Sequence, residues 1–338
     1  MDASNMRIKL YFPRWKFSYN LGDTVMLSCL FKAMKEHYRP QWFEVIGDDT
    51  MVELFQNDPY VDHFRAASWL EKKTLKFYGD RSKQKNPVFL VLPEWNSAVF
   101  EYLAIGDNLQ RMIEHPKQNI LSLVYAQQIN TELFNFDDLR PRIHLTPLEI
   151  NEAESKIGNN SIAIHVADIR GRQKRDDGEK LRYSLASWQR LIAELKTNDP
   201  TLKIYEVGSH VFHGLGDEHI PPGSIRKLAA QLNSMKLVVL SDGGIHNLCN
   251  AIDKKVVLFQ GYEWNPPDMF KLGNGLFNED IHLECRKKCH IYSDILKIDS
   301  ASKSCKKECY DLNPILLAKE CNDYLGLIAT NKGSTHVF

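Results

Sequence analysis

The sequence predicts an α/β protein made of two doubly wound parallel sheets. Three observations carry this. Short apolar runs the length of buried strands, such as residues 88–92 and 256–259, alternate with amphipathic helical patterns. The alternation stops and restarts after Pro147. The 338 residues, too many for one ordinary core, therefore divide near residue 150 into domains 1–150 and 151–338. In the second half, three successive strands end in glycine-containing loops, at Val207-Gly208-Ser209, Ser241-Asp242-Gly243-Gly244 and Phe259-Gln260-Gly261-Tyr262. Such loops mark a ligand edge at the carboxyl ends of a sheet.

The first half opens with a strand at 7–12, a loop to residue 20, and an amphipathic helix over 23–37 that carries Val25, Leu30, Phe31 and Met34. A strand at 43–46, a short helix at 50–56 and a strand at 88–92 follow; the charged stretch 66–86 fits neither period. In the second half the predicted order is helix 149–156, strand 162–166, a polar, mostly basic loop 168–182, helix 184–195, strand 202–207 and helix 224–235. Strand 237–240, helix 244–252 and strand 256–259 complete it. Strands with helical crossovers make this half a nucleotide-binding doubly wound unit.

Lys and Arg total 43, and so do Asp and Glu, which argues against a chain held to nucleic acid mainly by phosphate neutralisation. No apolar run approaches the ~18 residues of a membrane span. The first residues lack the apolar stretch of a signal peptide, so a cytoplasmic location is expected. Seven cysteines in a reducing compartment read as thiols or metal ligands, not as a disulfide framework.

The most informative segment runs from Lys236 to Pro267. A buried strand leads straight into Ser241-Asp242-Gly243-Gly244, and a helix begins at or just after that turn. Two glycines let a bulky ligand approach the backbone, and the open N–H groups and positive end of the new helix favour a phosphate. His246 falls in the first helical turn, on the expected ligand side. The plainer account is an ordinary strand–turn–helix with Asp242 as its N-cap.

These residues resemble the donor half of glycosyltransferase family 9, the heptosyltransferase family. Its members have an Asp-Ser/Thr-Gly-x-x-His-Leu-Ala segment followed by Pro-x-Val-x-Leu-Phe-Gly. This chain reads Asp242-Gly243-Gly244-Ile245-His246-Asn247-Leu248-Cys249 and then Lys255-Val256-Val257-Leu258-Phe259-Gln260-Gly261. Gly243 replaces the hydroxyl residue, and Gln260 is inserted before the glycine. Gly22-Asp23 matches the family's Gly-Asp on the loop after its first strand, and Asn57-Asp58-Pro59-Tyr60-Val61-Asp62 is similar to its Asn-Pro-x-Val-Asp turn. Two features depart from the pattern. The first donor-domain strand ends His165-Val166-Ala167-Asp168 where the family has His-Pro-Gly-Ala. The family's Lys before Trp-Pro corresponds to a region reading Lys180-Leu181-Arg182-Tyr183-Ser184.

The resemblance implies a GT-B architecture, two facing Rossmann-like domains with a cleft between them and a C-terminal helix packing back on the first domain. It implies inverting transfer of a sugar, heptose in the family's usual case, from an ADP-linked or other nucleotide diphosphate sugar to an acceptor hydroxyl. Asp23 is then the general base, although as a residue it equally suits the N-cap of the helix it opens. Gly243, Gly244 and either Lys180 or Arg182 would stabilise the leaving diphosphate, with no cofactor required for catalysis. The basic loop holding Lys180 and Arg182 also reads as plain solvated surface. Asp242 would bind sugar hydroxyls, His246 would lie near the diphosphate, and Gly208 would line the site. A ribose-binding carboxylate is expected after Gly208, with Asp217 and Glu218 as candidates. The acceptor would be a hydroxyl on a lipopolysaccharide core, a protein or a modified nucleic acid, and the enzyme could be oligomeric.

Cys285-x₃-Cys289 and Cys305-x₃-Cys309 form two evenly spaced pairs in a Cys-rich segment, 285–309. Four thiolates could hold a structural zinc or iron, flanked by Lys287, Lys288, Lys306 and Lys307; free thiols or a disulfide are the alternatives. Some relatives that glycosylate bacterial surface proteins carry such an iron site. Cys29 and Cys249 lie in apolar helix patterns and read as small core residues. Two other functions fit. One is a glycosyltransferase with a different donor and a protein or modified-DNA acceptor. The other is a nucleotide- or metal-binding relative without catalysis, suggested by Gly243 and the missing Lys-Trp-Pro.

Overall fold

A computed structural model describes residues 6–12, 21–78, 89–91, 141–166, 183–208, 211–241, 243–259, 281–283 and 313–331. The chain falls into two units. The first runs to Thr146 and also takes in Asn250–Asp253, and the second is built mainly from Pro147 onward.

The described elements of the first unit are β1 (Arg7–Tyr11), α1 (Leu21–Met26), α2 (Cys29–Tyr38), β2 (Trp42–Gly47), α3 (Asp49–Phe55), β3 (His63–Ala66), α4 (Trp69–Tyr78) and β4 (Phe89–Val91). Their strands form a parallel sheet in the order β3-β2-β1-β4. Ile8, Leu10, Phe43 and Val45 are fully buried along it. Phe31 of α2 packs edge-on against Phe55 and Phe64, with ring centroids 5.2 and 5.5 Å away, and so closes the core. The Asn57–Asp62 turn has a structural job. Asp58 accepts a hydrogen bond from Tyr60 N at 2.9 Å, and Asp62 accepts from Phe43 N and from Lys35 Nζ, both at 2.7 Å.

Three features of this unit differ from expectation. The single helix over 23–37 is two helices, because Leu27 N and Ser28 N bond three residues back, to Thr24 O and Val25 O, in place of the α-helical partner. The strand β3 escapes the apolar pattern because His63 and Arg65 are polar; both bond Glu44 of the neighbouring strand. Part of the ambiguous stretch is the helix α4, started by a capping box. Glu71 Oε2 accepts from Ser68 N at 2.8 Å, and Glu71 N donates to Ser68 Oγ at 3.3 Å.

The second unit's described elements are α5 (Pro147–Ile157), β5 (Ser161–His165), α6 (Leu185–Asn198), β6 (Lys203–Val207), β7 (Glu218–Ile220), α7 (Ile225–Ser234), β8 (Leu237–Ser241), α8 (Gly244–Ala251), β9 (Val256–Phe259), β10 (Ile281–Leu283) and α9 (Pro314–Asn331). All its strand pairs are parallel, in the order β10-β9-β8-β5-β6-β7. Strand order therefore reverses between β5 and β8, the arrangement of a dinucleotide-binding sheet. β7 and β10 were not expected; at three residues each they are too short to show a period.

In the described residues, Leu317, Ala318 and Cys321 of α9 belong to the core formed by Trp188, Leu191 and Leu195 of α6, inside the second unit. This apolar face is what holds the helix there. Burial pushes the Cys321 thiol far above its ordinary range, so it stays neutral. Arg226 of α7 is 3% exposed and grips Glu149 of α5 in two parallel hydrogen bonds, Nε to Oε1 at 2.6 Å and Nη2 to Oε2 at 2.7 Å.

Candidate functional site

In an open α/β sheet, ligands bind outside the carboxyl ends of the strands, where the strand order reverses. In the second unit that point lies between His165, the last residue of β5, and the end of β8; His165 pairs with Leu240 in register. Gly243 follows with φ of +154°, a backbone conformation that side-chain-bearing residues rarely adopt, and α8 starts at Gly244. That conformation suits glycine at this position. Asn247 N bonds Gly243 O at 3.3 Å, and the N–H groups of the first turn lie at the amino end of this ladder. They and the helix dipole create positive potential for an anion.

Gly208 joins this edge. It has φ of +76°, and a Cβ placed on it would come within 3.2 Å of both His165 Cδ2 and Ile245 Cδ1. The ends of β5 and β6 and the first turn of α8 thus converge, bringing Gly208 and Gly244 to one place. His246 is fully buried in α8. The next residue, Asn247, is 6% exposed, and its Oδ1 is buried without a hydrogen-bond partner. Asn247 lies three residues after Gly244 and so on the same helix face, whereas His246 points away from it. By count, Asn247 also occupies the His position of the Asp-Ser/Thr-Gly-x-x-His pattern. The sequence reading missed it; the spacing alone was enough to find it.

In the first unit, strand order reverses between β1 and β4, and the chain leaves β1 at Tyr11 toward α1. Gly22 and Asp23 are the second and third residues of α1, not part of the preceding loop, and Asp23 is therefore not an N-cap. A carboxylate in the first turn suits the helix dipole.

Asp217 and Glu218, the candidates for a ribose-binding carboxylate, lie at the amino ends of β6 and β7 and not at the carboxyl edge with Gly208. Asp217 Oδ2 accepts from Ile204 N at 2.8 Å and Lys196 Nζ at 2.7 Å, at the amino end of β6, opposite Gly208. Glu218 pairs with Lys203. Closer to the carboxyl edge, the buried Glu206 instead holds the β6–β7 connection by accepting from His213 N at 3.0 Å and pairing with the His213 ring. A cavity of about 400 Å³ lies beside the edge strand β7, lined by Ile157, Tyr205, Glu218, Ile220, Pro222 and Lys227 among others; of the described candidate residues only Glu218 lines it.

Asp242, Lys180, Arg182, Cys285, Cys289, Cys305 and Cys309 lie outside the described residues. The basic loop ends on the buried Tyr183, whose ring meets Trp188 edge-on at 5.3 Å, and Ser184 caps α6 by accepting from Ser187 N. Among the described residues no group of His, Cys, Asp and Glu could hold a metal ion, and no helix is long and apolar enough to cross a membrane.

Two parallel sheets with helical crossovers define an α/β protein of the GT-B kind. The chain has the fold of glycosyltransferase family 9. A family 9 glycosyl transferase structure from Veillonella parvula matches with a TM-score of 0.63 at 13% identity, covering 96% of this chain and 98% of that one. The E. coli ADP-heptose LPS heptosyltransferase II matches with a TM-score of 0.59 at 14% identity, covering 96% of this chain and 100% of that one. The iron-containing dodecameric glycosyltransferase TibC from enterotoxigenic E. coli matches with a TM-score of 0.58 at 11% identity, covering 97% of this chain and 77% of that one. No family model matches the sequence, and no curated protein matches it.

Proposed function

We propose that the chain is an inverting glycosyltransferase that moves a sugar from a nucleotide diphosphate donor to an acceptor hydroxyl. The observation that supports this most is the convergence of Gly208, His165, Ile245 and the Gly243–Gly244 helix start at the carboxyl edge of the second sheet. That edge suits a diphosphate, and the fold is that of proteins that include an ADP-heptose transferase. An ADP-linked heptose is the donor this reading favours.

The reaction assigned to the site is a single displacement. Asp23 takes the proton of the acceptor hydroxyl, and the freed oxygen attacks the anomeric carbon. The bond from that carbon to the diphosphate oxygen breaks, and the nucleotide diphosphate leaves with the electron pair. The first-turn N–H groups of α8, with Lys180 or Arg182, neutralise the leaving charge. Asp242 and Asn247 hold polar groups of the donor, Asn247 Oδ1 accepting from an N–H or O–H. The spacing of Cys285, Cys289, Cys305 and Cys309 supports a structural zinc or iron in the same chain, and elemental analysis of the purified protein tests it.

Incubation with ADP-heptose, UDP-sugars and GDP-sugars, with released nucleotide read by mass spectrometry, tests the function. Release from one donor class is expected, with turnover lost and nucleotide binding kept in Asp23→Asn. Nucleotide binding without release from any donor, with or without acceptor, would favour a non-catalytic binding protein instead.

A further inference from the structure

Three successive residues fasten the segment that leads out of the first unit. Arg142 N donates to Ser28 Oγ at 2.7 Å, and Ile143 N donates to Ala251 O at 2.9 Å. His144 Nε2 stands 3.7 Å from Asp58 Oδ2. Ser28 is the unusual member of this set. It occupies the N-cap position of α2, yet its side chain makes no capping bond and its backbone is helical. Its hydroxyl donates instead to Val25 O at 2.8 Å, in the last turn of α1, and accepts from Arg142 N. The group is 4% exposed. The hydroxyl therefore joins α1 to residue 142 through both its proton and its lone pair.

The helix on the other side of that bridge is α1, which has six residues and carries Asp23. A helix this short does not hold itself together in water, so its placement comes from what its ends are tied to. At the α1–α2 junction the backbone bonds are the three-residue kind, Ser28 N to Val25 O at 3.1 Å and Phe31 N to Ser28 O at 3.2 Å, and no continuous α-helical ladder fixes the direction of α1. The Ser28 hydroxyl supplies an additional tie.

We infer that Ser28 is a positioning residue: its bridging hydroxyl locks the end of α1 to Arg142 and so sets where Asp23 is presented. This rests on the reading of Asp23 as the general base. Ser28 acts through α1 and makes no contact with substrate.

The test compares wild type with Ser28→Ala, the near-isosteric Ser28→Cys, and Ser28→Thr, each as the full chain. Hydrogen exchange of the Arg142 amide needs no activity. It should quicken about tenfold in Ser28→Ala and Ser28→Cys and return toward wild type in Ser28→Thr. On the donor that wild type turns over, kcat should fall about tenfold or more in the first two variants while donor KM stays within about twofold. An unchanged Arg142 amide, or unchanged kcat in a folded Ser28→Ala or Ser28→Cys, overturns the inference alone. A wild-type chain that turns over none of the sugars overturns the functional reading, and the inference with it.

Discussion

Gly208 sits so close to the ring of His165 that a Cβ there would stand 3.2 Å from Cδ2, and the same Cβ would meet Ile245 equally closely. One atom added at the end of β6 would thus push on both β5 and α8. Gly208→Ala also places a side chain at φ of +76°. The variant is expected to lose about 1–3 kcal/mol of stability by urea denaturation, from left-handed strain and crowding together. Its affinity for the donor nucleotide should fall as well, measured by titration calorimetry.

Asn247 gives an opposite pairing of effects. Its buried Oδ1 lacks a partner, a cost that the fold bears in the free protein. Asn247→Leu should leave the melting temperature equal or higher, while nucleotide-sugar affinity falls about tenfold. Stability and binding moving down together would assign Asn247 a purely structural role.

Burial pushes the Asp58 carboxyl up to about 6, above the usual carboxylate range, against the lowering influence of Tyr60 N and Arg142. The folded chain therefore holds this proton more tightly than the unfolded chain. The stability it contributes is full below about pH 4 and is lost as pH rises through about 6. The loss is roughly 2–3 kcal/mol across that window. Asp58→Asn, which keeps an acceptor for Tyr60 N, should flatten this part of the stability–pH curve measured by urea denaturation.

Glu149→Ala leaves the guanidinium of Arg226 buried without its bidentate partner. A loss of about 3 kcal/mol is expected. The double variant Glu149→Leu with Arg226→Met should recover most of it, because the uncompensated charge is then gone. Thermal unfolding of the two variants checks the pair.

Much of this was legible in the sequence. The strand–helix alternation places the sheets, and the glycines Gly208 and Gly243 after two strands mark the edge, at φ of +76° and +154° that favour glycine. What stayed hidden was carried by polar chemistry. Arg65 is satisfied by Glu71 and Glu44, so β3 needs no apolar alternation to be stable. At the break, Ser28 Oγ accepts from the Arg142 amide, more than a hundred residues away, a tie that no local period reports. His246 is the histidine of the segment, yet Asn247 is the residue that shares the helix face of Gly244 and carries a buried Oδ1 without a partner. Asp217 looked free until Lys196 and Ile204 N were seen to use it.

Leu317, Ala318 and Cys321 complete the apolar interior around Trp188. During synthesis the second unit therefore cannot close while those residues are still inside the ribosome, even though β5 through β9 have already emerged. Until then the Trp188 side of α6 lacks the cover of these three residues, and apolar surface exposed in this way favours association.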